Sequence, residues 1–287
     1  MKKPTLKELL AAENPLLLPV AHDAVSAKLI ERAGFRAGSI GGFGVIGCRL
    51  GLPDLGLASF GEISAAVRDI SGATSLPMIV DADDGYGDVK NVVRTVRTYE
   101  AMGICAIVLE DQVSPKKCGH MKVERKIVPV EEAEAKLAAA VDARSNADFA
   151  IIARTDARSV EGLDAAIARG KRYVAKGVDG LFVEAPVSRE ELKRIGESFD
   201  VPLIVNAAEG GRTPVLTPQE YRELGFSVVL YPATLLLRMV GTMSRTLKSL
   251  RNGEFAEEKE LPTFEELVDI MGLHEWMKID QTFGVDR

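Results

Sequence analysis

Short runs of apolar, often β-branched residues recur at fairly even spacing along the chain and predict eight β-strands. Within each run the apolar residues are nearly continuous and do not alternate with polar ones, which is typical of parallel strands buried on both faces. The predicted strands are Leu16–Val20, Ala37–Gly42, Pro77–Asp83, Ala106–Asp111, Phe149–Arg154, Gly180–Glu184, Pro202–Asn206 and Ser227–Tyr231. We therefore expect a parallel sheet of eight strands.

The segments between these strands show the period and the start signals of helices. Two of them, Glu131–Arg144 and Leu163–Lys176, are Ala-rich and amphipathic. Four helix starts carry a Ser or Thr with Glu three residues later, the capping-box pattern; they begin at Ser59, Ser188, Thr217 and Thr263. Eight β/α units in one chain favour a closed (β/α)8 barrel over an open doubly wound sheet, which usually has fewer strands.

The chain continues well beyond the eighth strand. Residues 233–287 show two further helical patterns, Leu235–Leu250 and Thr263–Ile279, and contain the one tryptophan, Trp276. A barrel needs a single closing helix after its last strand. We predict one barrel domain over residues 1–287, with a surplus C-terminal tail that packs on a neighbouring subunit.

Composition and charge exclude several classes of protein. The 287 residues carry a formal net charge of −6, whereas nucleic-acid and membrane-surface binders need clustered positive charge. No apolar run reaches the ~18 residues of a membrane helix. Three cysteines are too few for a disulfide framework, and their odd number fits a reducing compartment. We therefore expect a soluble, cytoplasmic protein without nucleic-acid or membrane partners.

Acidic residues recur where the predicted strands end, which is where barrel enzymes place their catalytic groups. Five consecutive strands end in charged or amide side chains: Asp81 and Asp83, Glu110, Arg154, Glu184, and Asn206. Any one of these carboxylates could simply cap the following helix. Their joint convergence would be costly without a cation, and hard oxygen donors without a converging histidine favour Mg²⁺, with Mn²⁺ as the alternative.

A glycine pattern after the second strand raises the alternative of dinucleotide binding. Gly42-Phe-Gly44-Val-Ile-Gly47 fits GxGxxG, but no acidic residue ends the next strand about 20 residues later, since Asp81 lies nearly twice as far away. Glycine here is better explained by close approach of the backbone to a small ligand's carboxylate.

The loop after the fourth strand combines a thiol with cationic neighbours. Cys118 lies in a polar, glycine-containing segment between two lysines and His120, whereas Cys105 lies in an apolar run typical of a structural cysteine. Flanking cations favour the thiolate, so Cys118 is a candidate for proton exchange near neutral pH, with His120 orienting it or binding substrate oxygen. An incidental loop cysteine is the alternative. The loop has the length and glycine content of a lid.

These motifs together resemble the isocitrate lyase/phosphoenolpyruvate mutase superfamily along nearly the whole chain. The segments that carry the resemblance are Gly51-Leu-Pro-Asp54, Val80-Asp-Ala-Asp-Asp-Gly-Tyr-Gly87, Leu109-Glu-Asp-Gln112, Lys116-Lys-Cys-Gly-His-Met121, Ala153-Arg-Thr-Asp-Ala157, Phe182-Val-Glu184 and Asn206 with Glu209-Gly-Gly-Arg-Thr-Pro214. The resemblance implies an Mg²⁺-dependent barrel and a homotetramer whose C-terminal helices exchange between subunits.

The resemblance also implies residue roles. Asp81 matches the direct metal ligand, and Asp83, Glu110 and Asp54 match residues that hold metal-bound waters. Cys118 matches the proton donor of the lyase branch. Ser39, Gly41 and Gly42 match the segment that binds an α-keto-acid carboxylate, and Arg154 matches a residue that contacts the same product. Glu184 and Asn206 match other substrate-contacting positions.

The substrate class follows less directly. Lys-Cys-Gly-His points to carbon–carbon cleavage, because mutases and phosphonopyruvate hydrolases mostly carry a different loop there. No Ser or Thr follows Asn206 until Thr213, a departure from the lyases that hold a tricarboxylate. The loop instead resembles the dimethylmalate lyase and petal-death-protein branch, which cleaves 2-alkyl- or 2,3-dialkylmalates and sometimes oxaloacetate. The alternatives are a 2-methylisocitrate lyase, a carboxyphosphonoenolpyruvate mutase-type enzyme and a non-catalytic metal-binding scaffold.

Overall fold

The computed structural model describes residues 3–118, 123–255 and 261–284. Its eight parallel strands close into one barrel in sequence order, with the first strand paired to the eighth. The strands are β1 (Leu16–Ala21), β2 (Gly38–Ile40), β3 (Met78–Asp81), β4 (Ala106–Glu110), β5 (Ala150–Thr155), β6 (Gly180–Val183), β7 (Leu203–Asn206) and β8 (Val228–Tyr231). The (β/α)8 prediction is confirmed.

Helices surround the barrel and extend beyond it. They are α1 (Leu6–Ala12), α2 (Ala24–Arg32), α3 (Gly42–Leu50), α4 (Phe60–Gly72), α5 (Val89–Ala101), α6 (Val130–Ala143), α7 (Ala157–Val160), α8 (Leu163–Val174), α9 (Arg189–Gly196), α10 (Pro218–Glu223), α11 (Thr234–Arg251), α12 (Phe264–Ile270) and α13 (Leu273–Phe283). The side chains of Ser59, Thr217 and Thr263 form full capping boxes, and Ser188 accepts a bond from the backbone of Glu191. No helix within the described residues is long and apolar enough to cross a membrane.

Two layers of apolar side chains position the site. One fills the space between the strands and the outer helices, and the other fills the barrel interior. Leu6 and Leu9 of α1 belong to the interior layer, together with Leu16 and Ala150 at the N-terminal ends of their strands. Helix α1 therefore covers the N-terminal end of the barrel and leaves the C-terminal end for function.

At that functional end two strands stop two residues earlier than predicted, and the other six end within one residue of the predicted position. Strand β2 stops at Ile40, because Gly41 caps α3 and Gly42 begins it. Strand β3 stops at Asp81. Asp83 has a φ of 50° and its backbone N–H donates to Asp81 Oδ1 at 3.1 Å. Its carboxylate therefore reaches the site from a turn, and Asp83 is not part of strand β3 as predicted.

The C-terminal tail also differs from the prediction in its helices. The single helical pattern Thr263–Ile279 is divided into α12 and α13 by Gly272, whose φ of 89° is readily adopted only by glycine. Helix α12 packs on α2 of the same chain, where Arg32 forms an ion pair with Asp269 at 2.8 Å. In the described part of the tail, α11, α12 and α13 contain no buried residue.

Candidate active site

A cavity opens at the C-terminal end of the barrel. The residues predicted for the site that line it are Ser39, Gly41, Gly42, Asp54, Asp81, Glu110, Cys118, Arg154 and Asn206. Asp83 and Glu184 are buried beside it, where they contact lining residues. His120 lies outside the described residues. The structure therefore brings the predicted residues it describes to one place, although they come from six strands and two loops.

The acidic side of the cavity contains a buried ion-pair bridge. The Lys116 ammonium lies 2.8 Å from Asp54 Oδ2 and 2.7 Å from Asp83 Oδ1. All three residues are less than 7% exposed, with Lys116 at 5%, Asp54 at 3% and Asp83 at 6%. A Cβ at Gly42 would lie 3.5 Å from the ammonium and 3.6 Å from the Asp83 carboxylate. The start of α3 therefore lies beside this bridge, at a distance that would place a Cβ in ordinary van der Waals contact with it.

The carboxylates outnumber the cations that face them, and their pKa values reflect this. Burial, reinforced by Asp81 and Asp54, raises the pKa of Asp83 to about 7 although Lys116 opposes the change. Burial also raises the pKa of Glu110 well above its usual range, with Arg154 opposing. Burial lowers the pKa of Lys116, but the surrounding carboxylates outweigh it and keep the ammonium charged. The site therefore favours additional positive charge.

Several buried oxygens at the site have no hydrogen-bond partner among the described residues. These include Asp54 Oδ1 and Glu110 Oε1. Oxygen donors with spare lone pairs are the ligands that Mg²⁺ prefers, and Mg²⁺ usually keeps several waters. No three His, Cys, Asp or Glu side chains in the described ranges lie close enough to hold one ion directly. The donor set therefore fits Mg²⁺ bound by one direct carboxylate, with the others contacting its waters.

The opposite side of the cavity is organised around Arg154. Its Nε and Nη2 donate to the two oxygens of Asp156 at 3.0 and 3.3 Å. Nε also lies 3.4 Å from Glu110, and Nη2 lies 3.7 Å from Glu184. Glu184 in turn accepts a bond from Asn206 Nδ2 at 3.0 Å. Arg154 is thus held in place by acids while it lines the cavity, as a carboxylate-binding residue must be.

The loop after β4 folds over the site. Gln112 and Ile127 form an antiparallel bridge at its base, and the Cys118 N–H donates to the Asp54 carbonyl at 3.1 Å. Cys118 is 8% exposed and lines the cavity together with Lys116. The described part of the loop therefore lies in a closed position that brings the thiol to the carboxylates.

Sequence reasoning missed some of the residues that build this geometry. Lys116 was noted only as a charge near Cys118, and no local pattern indicates that it bridges Asp54 and Asp83. Asp156 directly follows β5 and belongs to the Ala153-Arg-Thr-Asp-Ala157 motif, but its side chain contacts two arginines, Arg154 and Arg125. Arg125 has no local signal at all.

Comparisons with known proteins identify relatives over nearly the whole chain. A family model described as phosphoenolpyruvate phosphomutase matches residues 6–251. The chain is 42% identical over 284 residues to 2,3-dimethylmalate lyase of Eubacterium barkeri, covering 98% of both. It is 36% identical over 282 residues to 2-methylisocitrate lyase of Bacillus subtilis (strain 168), covering 97% of this chain and 92% of that protein.

Solved structures extend the comparison to the fold and the metal. Oxaloacetate acetylhydrolase in complex with 3,3-difluorooxalacetate superposes with a TM-score of 0.93 at 29% identity, covering 99% of this chain and 98% of the other. Phosphonopyruvate hydrolase in complex with oxalate and Mg²⁺ superposes with a TM-score of 0.87 at 28% identity, covering 99% of each chain. Enzymes of this superfamily are Mg²⁺-dependent. The chain belongs to the phosphoenolpyruvate mutase/isocitrate lyase superfamily and is an enzyme of its lyase branch.

Proposed function

We propose that this chain is an Mg²⁺-dependent lyase that cleaves a carbon–carbon bond in a 2-hydroxy dicarboxylate. The expected substrates are 2-alkyl- or 2,3-dimethylmalates, with oxaloacetate as a further candidate, and the products are an α-keto acid such as pyruvate and a second carboxylate. The observation that carries the proposal is one cavity lined by Asp81, Glu110, Arg154 and Cys118. The cavity thus combines carboxylates suited to binding a metal, a guanidinium suited to binding an anion, and a thiol.

The assignment of the metal ligands is part of this proposal. Asp81 would bind Mg²⁺ directly, and Asp83, Glu110 and Asp54 would contact its waters, with Mn²⁺ as a substitute. The unpartnered oxygens of Asp54 and Glu110 support these assignments. When bound, the metal lowers the pKa of the substrate hydroxyl and makes its proton easier to remove.

The chain's own residues would then carry out the cleavage. Loss of the hydroxyl proton turns C2 into a carbonyl, and the electrons of the C2–C3 bond move to C3 and form the enolate of the second carboxylate. Arg154 and the backbone at Gly41 and Gly42 bind the keto-acid oxygens. The Cys118 thiol donates its proton to C3, and His120 orients that thiol or binds substrate oxygen. The loop excludes water that would weaken these interactions.

The walls of the cavity favour an alkyl-substituted substrate. Phe43, Leu230 and Pro232 line it, and none of them can hold a further carboxylate. Glu184 lies 3.7 Å from Arg154 and accepts a bond from Asn206 at 3.0 Å, and this pair would bind the substrate's second carboxyl end through the amide. Ser39, whose Oγ donates to the Ile79 carbonyl at 2.9 Å, lines the same cavity.

A substrate panel tests the proposal. We would incubate the protein with 2,3-dimethylmalate, 2-methylmalate, oxaloacetate, 2-methylisocitrate and phosphonopyruvate, with Mg²⁺ or with EDTA. We would measure pyruvate release, and for oxaloacetate, whose cleavage consumes water, the release of oxalate and acetate. We expect pyruvate and propionate from 2,3-dimethylmalate with Mg²⁺ only. Turnover of 2-methylisocitrate or phosphonopyruvate alone would replace the substrate assignment. Mg²⁺ binding without turnover of any compound would favour a non-catalytic scaffold.

The C-terminal helices support a proposed homotetramer. Their apolar side chains are largely exposed in the single chain, with Phe264 at 80%, Trp276 at 67% and Phe283 at 80%. Exposed aromatic residues in such number mark a protein interface, and we propose that a second copy of this chain covers them by helix exchange. Light scattering should give four times the 31.0-kDa chain mass. We also propose a cytoplasmic location for the protein, because its odd number of cysteines favours a reducing compartment.

A further inference from the structure

A second arginine, Arg125, is buried behind the cavity. It is 7% exposed, and its Nη1 forms an ion pair with Asp156 Oδ1. Asp156 itself is fully buried and is the carboxylate that holds both Nε and Nη2 of Arg154. A single carboxylate is therefore shared between two guanidinium groups, one lining the cavity and one behind it.

Because Asp156 is shared, Arg125 affects how strongly the positive charge of Arg154 can attract a substrate anion. Asp156, Glu110 and Glu184 all face Arg154, so that one arginine meets three carboxylates. Without a second cation, Asp156 would draw the Arg154 guanidinium away from the cavity and weaken its attraction for an anion. Arg125 offsets that charge. No bond to Arg154 Nη1 is made by the described residues, which leaves this donor for a ligand.

Asp156 is in turn held by its surroundings. Its backbone N–H donates to Asp111 Oδ1 at 2.9 Å, and Asp111 Oδ2 accepts bonds from Thr155 at 2.7 Å and Tyr173 at 2.8 Å. The carboxylate cannot easily move to accommodate the loss of one of its arginines. Changes at Arg125 should therefore be felt at Arg154.

Arg125 also belongs to the returning arm of the Cys118 loop. The Val113 N–H donates to the Lys126 carbonyl at 2.8 Å, and the Val128 N–H donates to the Asp111 carbonyl at 2.9 Å. The backbone that follows Arg125 is thus paired to the outgoing arm. The same loop that brings Cys118 to the cavity inserts Arg125 beneath it.

We propose that Arg125 is a positioning residue for the reaction: through Asp156 it holds Arg154 where it binds the keto-acid carboxylate, and it links that geometry to the closed loop. This inference rests on the proposed function for the role of Arg154. Its physical content is charge compensation, so a neutral hydrogen-bond donor at the same position should not replace Arg125.

The test compares Arg125→Met, Arg125→Gln and Arg125→Lys with Lys126→Met. Lys126 is the adjacent residue on the same arm, its side chain is exposed, and its replacement removes the same charge. We would measure the dissociation constant of oxalate with Mg²⁺ by calorimetry, KM and kcat on the substrate identified in the panel, and amide hydrogen exchange at Val113 and Val128.

Arg125→Met and Arg125→Gln should weaken oxalate binding and raise KM roughly 10–100-fold, the usual effect of removing a partner that orients a binding group. Arg125→Lys should restore most of the affinity, and Lys126→Met should behave as wild type. Gln keeps a donor for Asp156, so Arg125→Gln carries the test if Arg125→Met does not fold.

Two results would overturn the inference. One is wild-type oxalate affinity and KM in Arg125→Gln, whether or not amide exchange in the loop becomes faster, since Arg125 would then only anchor the loop. The other is an equal loss in Lys126→Met. Oxalate binding does not require turnover. If the protein binds oxalate but cleaves no compound in the panel, the proposed function is wrong, and the oxalate affinities of the variants still decide the role of Arg125.

Discussion

Lys116 occupies the position where positive charge is most needed, so we expect it to compete with a divalent cation. Its ammonium lies 2.8 Å from Asp54 and 2.7 Å from Asp83, two of the residues assigned to metal-bound waters. Replacing Lys116 with Met keeps the length and apolar stem of the side chain and removes its charge. The ligand-free variant should bind Mg²⁺ more tightly than wild type.

The magnitude follows from Coulomb's law. Two unit charges 4 Å apart interact by about 4 kcal/mol at an effective dielectric constant of 20, and a divalent ion at twice that distance gives the same energy. Removing the ammonium also removes a charge that lowers the pKa of Asp83, so protons compete more strongly with the metal and offset part of this gain. We therefore expect a gain of about 1–2 kcal/mol, roughly a 5–30-fold lower dissociation constant.

Titration calorimetry with Mg²⁺, and with Mn²⁺ followed by electron paramagnetic resonance, measures this directly. Lys117→Met is the matched control, because the Lys117 ammonium donates to the Glu124 carbonyl at 2.8 Å and not to the acidic cluster. It loses the same charge one residue away. Unchanged or weaker metal affinity in Lys116→Met, or an equal gain in Lys117→Met, would refute the competition.

Two further predictions concern packing and thiol chemistry. Gly196→Ala would place a Cβ 1.7 Å from the Leu224 carbonyl oxygen, so it should destabilise the fold by about 3 kcal/mol and lower Tm by roughly 6–12 °C. Gly47→Ala, which meets nothing within 4 Å, should keep or raise Tm; equal losses measured by calorimetry would contradict the packing argument. Burial raises the pKa of Cys105 to about 12, so its thiolate is scarce below that pH, and iodoacetamide at pH 8 should label exposed Cys48 but leave Cys105 unmodified. Site-resolved mass spectrometry that finds Cys105 labelled in the folded protein would show that its burial is overestimated.

The barrel could be predicted from the sequence because its signal is local. A parallel strand buried on both faces needs an unbroken apolar run, and eight such runs leave few other architectures. The helix starts at Ser59 and Thr217 were also predictable, because a capping box requires only two residues three positions apart. Apolar periodicity could not locate the break at Gly272, since the pattern continues on both sides of it.

The residues of the site also fall into those that local sequence indicates and those that it does not. The strand-end acids and Arg154 could be named because barrel geometry brings the ends of all strands together. The residues of the long loop that pair with these acids could not be named from the sequence. Lys116 and Arg125 meet Asp83 and Asp156 through the path of a loop, and that path depends on tertiary contacts that no short pattern encodes. The sequence therefore indicates which residues come together at the cavity better than it indicates which residues hold them in place.

Crystals of the protein grown with Mn²⁺ and oxalate provide the most direct measurement of the central claim. The account predicts one anomalous peak in the barrel cavity, about 2.1 Å from an Asp81 oxygen. It also predicts oxalate between that ion and Arg154, and the Cys118 sulfur facing the oxalate. A metal peak elsewhere, or one that Asp81 does not ligate, would contradict the proposed lyase site.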